Sequence, residues 1–159
     1  MLFSFGGHAS QEPDADRLAS LSGYAFVTTT STVDSTTTSP RAIRRGRNLY
    51  LLPKLTDGYV ELLAACDAVI IKPGYGIVSD LIANRVPSLY VSRDGFREEP
   101  LLVHALETET RAVAIDRGAL DHLDLHGPLD RLLALDRPWT ERRLDGAEVI
   151  ARRILELAG

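Results

Sequence analysis

The fold of this chain is decided by residues 67–83, which read DAVIIKPGYGIVSDLIA. The stretch begins with a run of apolar, mostly β-branched residues, the composition of a strand that is buried on both faces of a sheet. Two glycines follow, and beyond them Val78 and Leu81 are spaced as on one face of a helix. We therefore predict a buried strand that ends at Lys72, a glycine turn, and an amphipathic helix that begins near Ile77.

Strand-like and helix-like segments alternate along the whole chain. Strands are predicted at residues 2–5, 24–28, 48–52, 68–71, 88–91 and 111–115. Apolar residues with helical spacing form stripes at Tyr59, Leu62, Leu63 and Cys66, and at Ala147, Ile150, Ala151 and Ile154. The second stripe belongs to the last helix, whose charged residues should face water. This alternation predicts a Rossmann-like α/β fold, an open parallel sheet of about six strands flanked by helices.

Composition limits the class of protein. The 159 residues suit one domain of ordinary size, and a net charge of −4 argues against a general nucleic-acid binder. Cys66 is the only cysteine, so no intrachain disulfide can form, and no apolar run reaches the ~18 residues that span a bilayer. The single cysteine and the lack of a signal-peptide pattern lead us to expect a cytoplasmic domain. Because the chain opens directly on its first strand, we expect it to be a fragment of a longer chain.

An arginine-rich segment follows the second predicted strand. Residues 28–39 are low in complexity, which predicts a mobile surface loop. Beyond this loop, Arg41, Arg44, Arg45 and Arg47 place four positive charges within seven residues. They are either a solvated loop or a contact with an anionic group on a partner domain, an acceptor or a membrane surface.

The glycine turn has the properties of an anion site. Gly74 and Gly76 lack Cβ atoms, so a phosphate can approach the backbone closely. The first turn of the helix offers unpaired N–H groups and the positive end of the helix dipole. Asp80, one turn further on, can accept from both hydroxyls of a ribose. The alternative is a simple tight turn in which Asp80 offsets the helix dipole, and the spacing matches neither the dinucleotide fingerprint nor the P-loop.

Two further segments extend this unit. The helix is followed by a predicted strand within residues 84–91 and by a polar loop at residues 93–100. The whole block resembles the donor-binding segment in the C-terminal half of GT-B-type glycosyltransferases. It is especially similar to bacterial glycosyltransferase-like proteins and to the glycosyltransferase-like domain fused to plant arabinokinases. The opening strand and the last helix resemble the same group, so the likeness extends over nearly the whole chain.

This resemblance implies roles for particular residues. The residues implied to bind the diphosphate are Gly6, Gly7, Gly74, Tyr75, Gly76, Ile77, Val78 and Ser79. Asp80 occupies the position of the acidic residue that binds the ribose, although the family more often has glutamate there. Leu52 and Pro53 lie where a loop of the family contacts the base. The residues implied to lie near the donor sugar are Arg97, Glu98 and Glu99.

The resemblance also implies a function and its partners. The chain would hold a UDP-type nucleotide sugar as substrate, with no cofactor, while a missing N-terminal domain supplies the acceptor and the catalytic base. It would be a hexosyltransferase-like domain that is inactive alone, with catalytic residues unknown. The alternative is a stand-alone binding or scaffolding module that pairs with a separate acceptor-domain subunit. The loop after Val91 is a residue longer than in plant-type sugar transferases and lacks their Asp-Gln pair, so the donor stays open.

Lys72 and two histidines offer weaker signals. Lys72, at the end of a strand, either approaches the diphosphate or pairs with an acidic residue of the polar loop. His122 and His126 are four residues apart, a spacing that suits metal binding on a helix. Residues 127–128 are Gly-Pro, which makes one continuous helix through both histidines unfavourable, so no metal site is expected.

Overall fold

A computed structural model describes residues 1–4, 14–30, 42–53, 55, 57–93 and 95–158. The strands are β1 (Leu2–Ser4), β2 (Phe26–Thr30), β3 (Ile43–Arg45), β4 (Leu49–Pro53), β5 (Val69–Ile71), β6 (Ser88–Tyr90) and β7 (Ala112–Ala114). The helices are α1 (Ala15–Ser20), α2 (Tyr59–Ala64), α3 (Tyr75–Asn84), α4 (Glu99–Glu109), α5 (Arg117–Asp121), α6 (His126–Leu133) and α7 (Gly146–Ala158). Among the helices of these ranges, none combines the length and the apolar character needed to cross a bilayer.

The strands form one seven-stranded sheet in the order β3-β4-β2-β1-β5-β6-β7. Every neighbouring pair is parallel except β3 and β4, which are antiparallel. All six strands that the sequence predicts are present, with ends within two residues of the predicted ones. The prediction of a Rossmann-like open sheet is confirmed, with an antiparallel strand added at one edge.

The added strand, β3, lies in the arginine-rich segment for which the sequence predicts only a loop or a contact surface. It pairs with β4, and Ile43 lies opposite Leu51. The chain reverses at Gly46, whose φ of 58° is left-handed and whose added Cβ would lie 2.8 Å from the Cβ of Ala19. Every residue of β3 is exposed, so no alternation of buried and exposed side chains marks the strand in the sequence. Arg41 lies outside the described residues.

Helices cover both faces of the sheet because its central strands are apolar on both sides. On one face, α1, α5 and α6 pack against strand residues such as Ile70. On the other face, α2, α3 and α4 pack against strand residues such as Val69 and Ile71. Side chains alternate between the faces along a strand, so successive residues of β5 belong to the two cores in turn, and all three are fully buried.

The connections between strands change direction next to β1. From β1 the chain passes to β2 and β4 on one side, and it then crosses back to β5 on the other side. In open α/β sheets, ligands bind outside the carboxyl ends of the strands at such a switch point. The crevice between the carboxyl ends of β1 and β5 is therefore where this fold places a ligand site.

The last helix, α7, does not pack on the described part of the domain. Ile150, Ile154 and Leu157 expose 62%, 60% and 74% of their surface. The segment before α7 is held to the end of α4 by an ion pair between Arg142 and Glu109. The predicted helix is therefore present, but its apolar stripe is exposed together with its charged residues.

Candidate functional site

The candidate site is the crevice at the carboxyl ends of β1 and β5. β1 ends at Ser4, and β5 ends at Ile71, shortly before the glycine turn. Ser4 and Ile71 are partners in the sheet, so the two strands end at the same level. Gly6 and Gly7, for which the sequence predicts diphosphate contacts, lie outside the described residues.

Helix α3 begins at Tyr75, two residues earlier than the sequence predicts. Gly74 is its N-cap residue, and no side chain of the described residues caps this end of the helix. Gly76 therefore belongs to the first turn of the helix and not to the loop before it. Glycine is a poorer helix former than alanine by about 1 kcal/mol, which is why the sequence alone favours a later start.

The earlier start changes which backbone amides precede the helical hydrogen-bond ladder. The N–H of Val78 donates to Gly74 O at 3.0 Å, so this amide already has an acceptor within the helix, and its contact with a diphosphate stays a prediction. Ser79 lies one residue further along, where its amide also belongs to the ladder, and its exposed side chain is the part that can reach a ligand. The amides of Tyr75, Gly76 and Ile77 lie before the first i→i−4 hydrogen bond of α3, so they have no acceptor within the helix.

The glycine turn is open. A Cβ atom added at Gly76 would meet no other heavy atom within 4 Å among the described residues beyond its own helical turn, and one at Gly74 would meet Ile77 Cγ2 at 4.0 Å. Gly74 has an extended backbone with φ of −161°, which any residue adopts. The side chain of Tyr75 is 59% exposed. The packing of the described residues and the backbone conformation thus leave both positions free for larger residues, whereas a ligand that approaches the backbone would require glycine.

Asp80 lies near Tyr59, at the start of α2. Tyr59, the first residue of α2, shares a hydrogen bond with the hydroxyl of Ser4, the last residue of β1. Burial raises the pKa of the Tyr59 phenol above its usual value; the bond to Ser4 opposes this rise, and the nearby carboxylate of Asp80 adds to it. The sequence assigns Tyr59 only to an apolar stripe, so its hydroxyl contact is new. A half-buried carboxylate beside two hydroxyls suits the binding of a polyhydroxylated group.

Leu52 and Pro53 end β4, at the carboxyl edge of the same sheet. Only β2 separates β4 from β1, so the two strands lie about 10 Å apart. Leu52 is half-buried and Pro53 is buried. The two residues are therefore on the edge that holds the crevice, and their contact with a base stays a prediction.

The loop after β6 contains the residues that the sequence assigns to the donor sugar. Arg97 and Glu98 are exposed just before α4. Glu99 is 8% exposed, and its Oε1 accepts from the hydroxyl of Ser92 at 2.8 Å and from the N–H of Arg93 at 2.7 Å. The structure thus uses the Glu99 carboxylate to hold the loop, while Arg97 and Glu98 remain on its outer surface.

Glu99→Ala is expected to lower the free energy of unfolding by about 1–3 kcal/mol, because two donors lose a buried, charged acceptor. Urea denaturation measures this change, and hydrogen exchange at the Arg93 amide reports the lost bond. Glu98→Ala is the matched control, since Glu98 is exposed and its side chain makes no capping hydrogen bond; it should change stability by less than about 0.5 kcal/mol. Equal effects of the two substitutions would contradict the structural role of Glu99.

Basic side chains lie at the same edge of the sheet. Arg93 Nη1 donates to Pro73 O at 3.2 Å, and the guanidinium lies over the ring of Phe96 at 4.3 Å from its centroid. Burial lowers the pKa of Lys72, and the guanidinium groups of Arg117 and Arg93 lower it further. Arg93 and Arg117 are absent from the residues that the sequence assigns to a ligand, because nothing local to either residue indicates that they approach Lys72.

The two histidines with metal-like spacing belong to different helices. His122 follows the last residue of α5, and His126 is the first residue of α6. Gly127 and Pro128 lie in the first turn of α6, where proline is tolerated because its missing N–H has no helical partner. Within the described ranges, no group of three or more His, Cys, Asp and Glu side chains is placed to hold a metal ion.

Part of the chain is similar to a known plant protein. Over 103 residues, which are 64% of the chain, the sequence is 35% identical to L-arabinokinase of Arabidopsis thaliana. The match covers 10% of that protein, so the chain spans about a tenth of the length of this relative. No protein family model matches the chain. The similarity to plant arabinokinases that the motifs indicate is confirmed over this range, whereas the assignment to a GT-B domain stays a prediction.

Proposed function

We propose that this domain binds a UDP-type nucleotide sugar and is the donor half of a GT-B-type glycosyltransferase. One observation carries the proposal: an open turn at Gly74 and Gly76 lies near Asp80 at the switch point of a Rossmann-like sheet. A helix N-terminus favours phosphate, and a carboxylate beside it favours hydroxyl groups. A nucleotide sugar presents a diphosphate and a ribose next to each other, which matches this order of groups.

The diphosphate is proposed to lie against the start of α3. The amides of Tyr75, Gly76 and Ile77 would donate to its oxygens, because none of the three belongs to the helical ladder. The helix dipole adds up to ~2 kcal/mol when the anion is partly buried. The exposed hydroxyl of Ser79 is a further donor in this pose.

The nucleoside and the sugar are proposed to extend in opposite directions along the edge of the sheet. Asp80 accepts from the ribose hydroxyls, and the base continues toward Leu52 and Pro53 at the end of β4. The sugar lies toward the loop after β6, where Arg97 and Glu98 are exposed. The order of the strands supports this layout, because β4 and β6 lie on opposite sides of the crevice.

The similar plant protein supports the coarser part of this proposal. Its name, L-arabinokinase, denotes a protein that acts on a sugar, which favours a sugar-related, nucleotide-binding role for this domain. Kinase activity is not part of the proposal, because the chain matches only 10% of that protein. The choice of a glycosyl donor, and of UDP, rests on the motif resemblance and on the crevice.

Transfer of the sugar needs a second domain in this proposal. An acceptor-binding domain, in the same chain or in a partner subunit, would face the crevice and supply the catalytic base. The departing diphosphate would be stabilised by the amides and the dipole of α3, groups that are already oriented before the reaction. The domain alone is therefore expected to bind the donor weakly and to be inactive as a transferase. We propose a cytoplasmic location for the assembled enzyme.

Calorimetry with UDP, UDP-glucose, ADP and GDP tests the proposal. A half site is expected to bind UDP with a Kd on the order of 0.1–1 mM, equivalent to about −5.5 to −4 kcal/mol, and to bind the two purine nucleotides more weakly. Ligand-observed NMR provides an independent readout in this affinity range. If no nucleotide binds at millimolar concentration, the proposal fails.

A second candidate function is a docking module that does not itself catalyse. The exposed apolar stripe of α7, with Ile150, Ile154 and Leu157, favours it, because such a stripe on a helix is typical of a surface that another protein covers. This function predicts a stable complex with a separate acceptor-domain subunit. A domain that forms such a complex and has no affinity for any nucleotide would favour this candidate over the first.

A further inference from the structure

Three basic side chains come together at the carboxyl edge of β5, β6 and β7. Lys72 follows β5, Arg93 follows β6, and Arg117 begins α5, which follows β7. The three strands are consecutive parallel neighbours in the sheet, so the three residues leave it side by side. Residues that are far apart in the sequence thus form one cluster.

Contacts connect this cluster to the glycine turn. Arg93 Nη1 donates to Pro73 O at 3.2 Å, directly before the turn. Lys72 has the guanidinium groups of Arg117 and Arg93 among its charged neighbours. The carboxylate of Asp121, on α5, opposes their effect on Lys72. The positive charges therefore lie close to the site proposed for a diphosphate.

The cluster lies on the opposite side of the turn from Asp80 and Tyr59. Ile71 belongs to the core under α2, α3 and α4. Because side chains alternate along a strand, Lys72 is directed toward the other face, which α5 covers, and its proximity to Arg117 agrees with this. The crevice thus has one side with a carboxylate and hydroxyls and one side with cations.

Lys72 is half-buried, and it lies near the exposed residues Arg93 and Arg117, whose like charges repel it. Their repulsion is stronger than in bulk water because the effective dielectric constant is lower at the protein surface. The lowered pKa of Lys72 is one consequence of burial and of this repulsion. Charged groups perturbed in this way within a cleft are typical of functional sites. A bound anion would remove the repulsion and accept charge-assisted hydrogen bonds.

We propose that Lys72, Arg93 and Arg117 form a phosphate subsite beside the glycine turn. The inference rests on the crevice of the proposed function, and it names the side chains that neutralise phosphoryl groups there. Arg93 and Arg117 present planar guanidinium forks that match phosphate oxygens, and Lys72 adds a compact positive charge. The α3 amides fix the position of the anion, and the three cations balance its charge.

Pyrophosphate is the probe, because it has phosphoryl groups and no base, ribose or sugar. Calorimetry at low salt compares the wild-type domain with Arg93→Gln, Arg117→Gln and the double variant. Each single substitution is expected to weaken pyrophosphate binding about 5- to 20-fold, and the double substitution at least about 25-fold. Arg85→Gln, at the other end of α3, is the matched control and should change affinity less than about twofold. Added salt should weaken binding less steeply in the double variant.

Circular dichroism and thermal melting verify that each variant is folded. Arg117 is exposed, so Arg117→Gln gives a clear result even if Arg93→Gln disturbs the turn. The subsite is overturned if the wild-type domain does not bind pyrophosphate, or if Arg117→Gln and the double variant bind it as tightly as the wild type. It is also overturned if Arg85→Gln loses as much affinity as they do. If the wild-type domain binds pyrophosphate but binds UDP-glucose no more tightly, the result counts against the proposed function and leaves the phosphate subsite intact.

Discussion

Gly76→Ala is expected to weaken nucleotide-sugar binding at least about 30-fold, through the loss of charge-assisted hydrogen bonds worth about 1.5–3 kcal/mol each. The domain itself should be as stable as the wild type or up to about 1 kcal/mol more stable, because alanine is the better helix former. The added Cβ meets no other heavy atom within 4 Å among the described residues beyond its own helical turn. In a helix, Cβ atoms point toward the N-terminus, so the methyl group would displace the diphosphate from the α3 amides.

The second residue of another helix provides the control for this variant. Gly127 is the second residue of α6, as Gly76 is the second residue of α3. A Cβ at Gly127 would make an ordinary contact with Arg131 Nη1 at 3.8 Å. Gly127→Ala should therefore have a similar effect on stability and leave UDP-glucose affinity unchanged. Calorimetry measures the affinity of both variants, and urea denaturation measures their stability.

Two results would contradict the role given to Gly76. If Gly76→Ala binds UDP-glucose as tightly as Gly127→Ala does, no ligand approaches the backbone at this turn. If Gly76→Ala unfolds the domain, the glycine is required by packing, contrary to the open space around it. An intact fold with lost binding is the combination that only a ligand site produces.

Asp80→Ala is expected to weaken UDP binding about 10- to 100-fold, the equivalent of one charge-assisted hydrogen bond or more. Its carboxylate is half-buried next to the Tyr59–Ser4 pair, where a ribose would place two hydroxyls. The loss should be much smaller for pyrophosphate, which has no ribose. Calorimetry with the two ligands separates a ribose contact from a general effect on the crevice.

Conservative variants refine this test. Asp80→Glu should bind UDP at least as tightly as the wild type, since the resemblance to GT-B enzymes implies a longer carboxylate at this position. Asp67→Ala removes an exposed carboxylate that lies outside α3 and should change UDP affinity less than about twofold. If the Asp80→Ala and Asp67→Ala variants bind UDP equally well, Asp80 is not a ribose ligand. The docking-module function would then be favoured.

The strands were predictable because their signal is local. In short runs such as residues 69–71 every residue is apolar, a pattern that is typical of a strand with helices packed on both faces of its sheet. β3 gives no such signal, because all of its residues are exposed and β4 is its one partner among the described strands. The predicted start of α3 is two residues too late. Glycine is a poor helix former, so the sequence favours a start after Gly76, whereas in the folded domain Gly76 lies in the first turn.

Local patterns in the chain are enough to predict the alternation of strands and helices, the glycine turn and the position of Asp80 one turn beyond it. These features depend on residues close to one another in the chain, where helical and strand periodicity act. Only the assembled sheet brings the Tyr59 hydroxyl to Ser4 near Asp80 and places Lys72 near Arg93 and Arg117, and only the packed domain shows that the α7 stripe is exposed. Those contacts depend on the order and register of the strands, which are set by burial of both sheet faces over the whole domain.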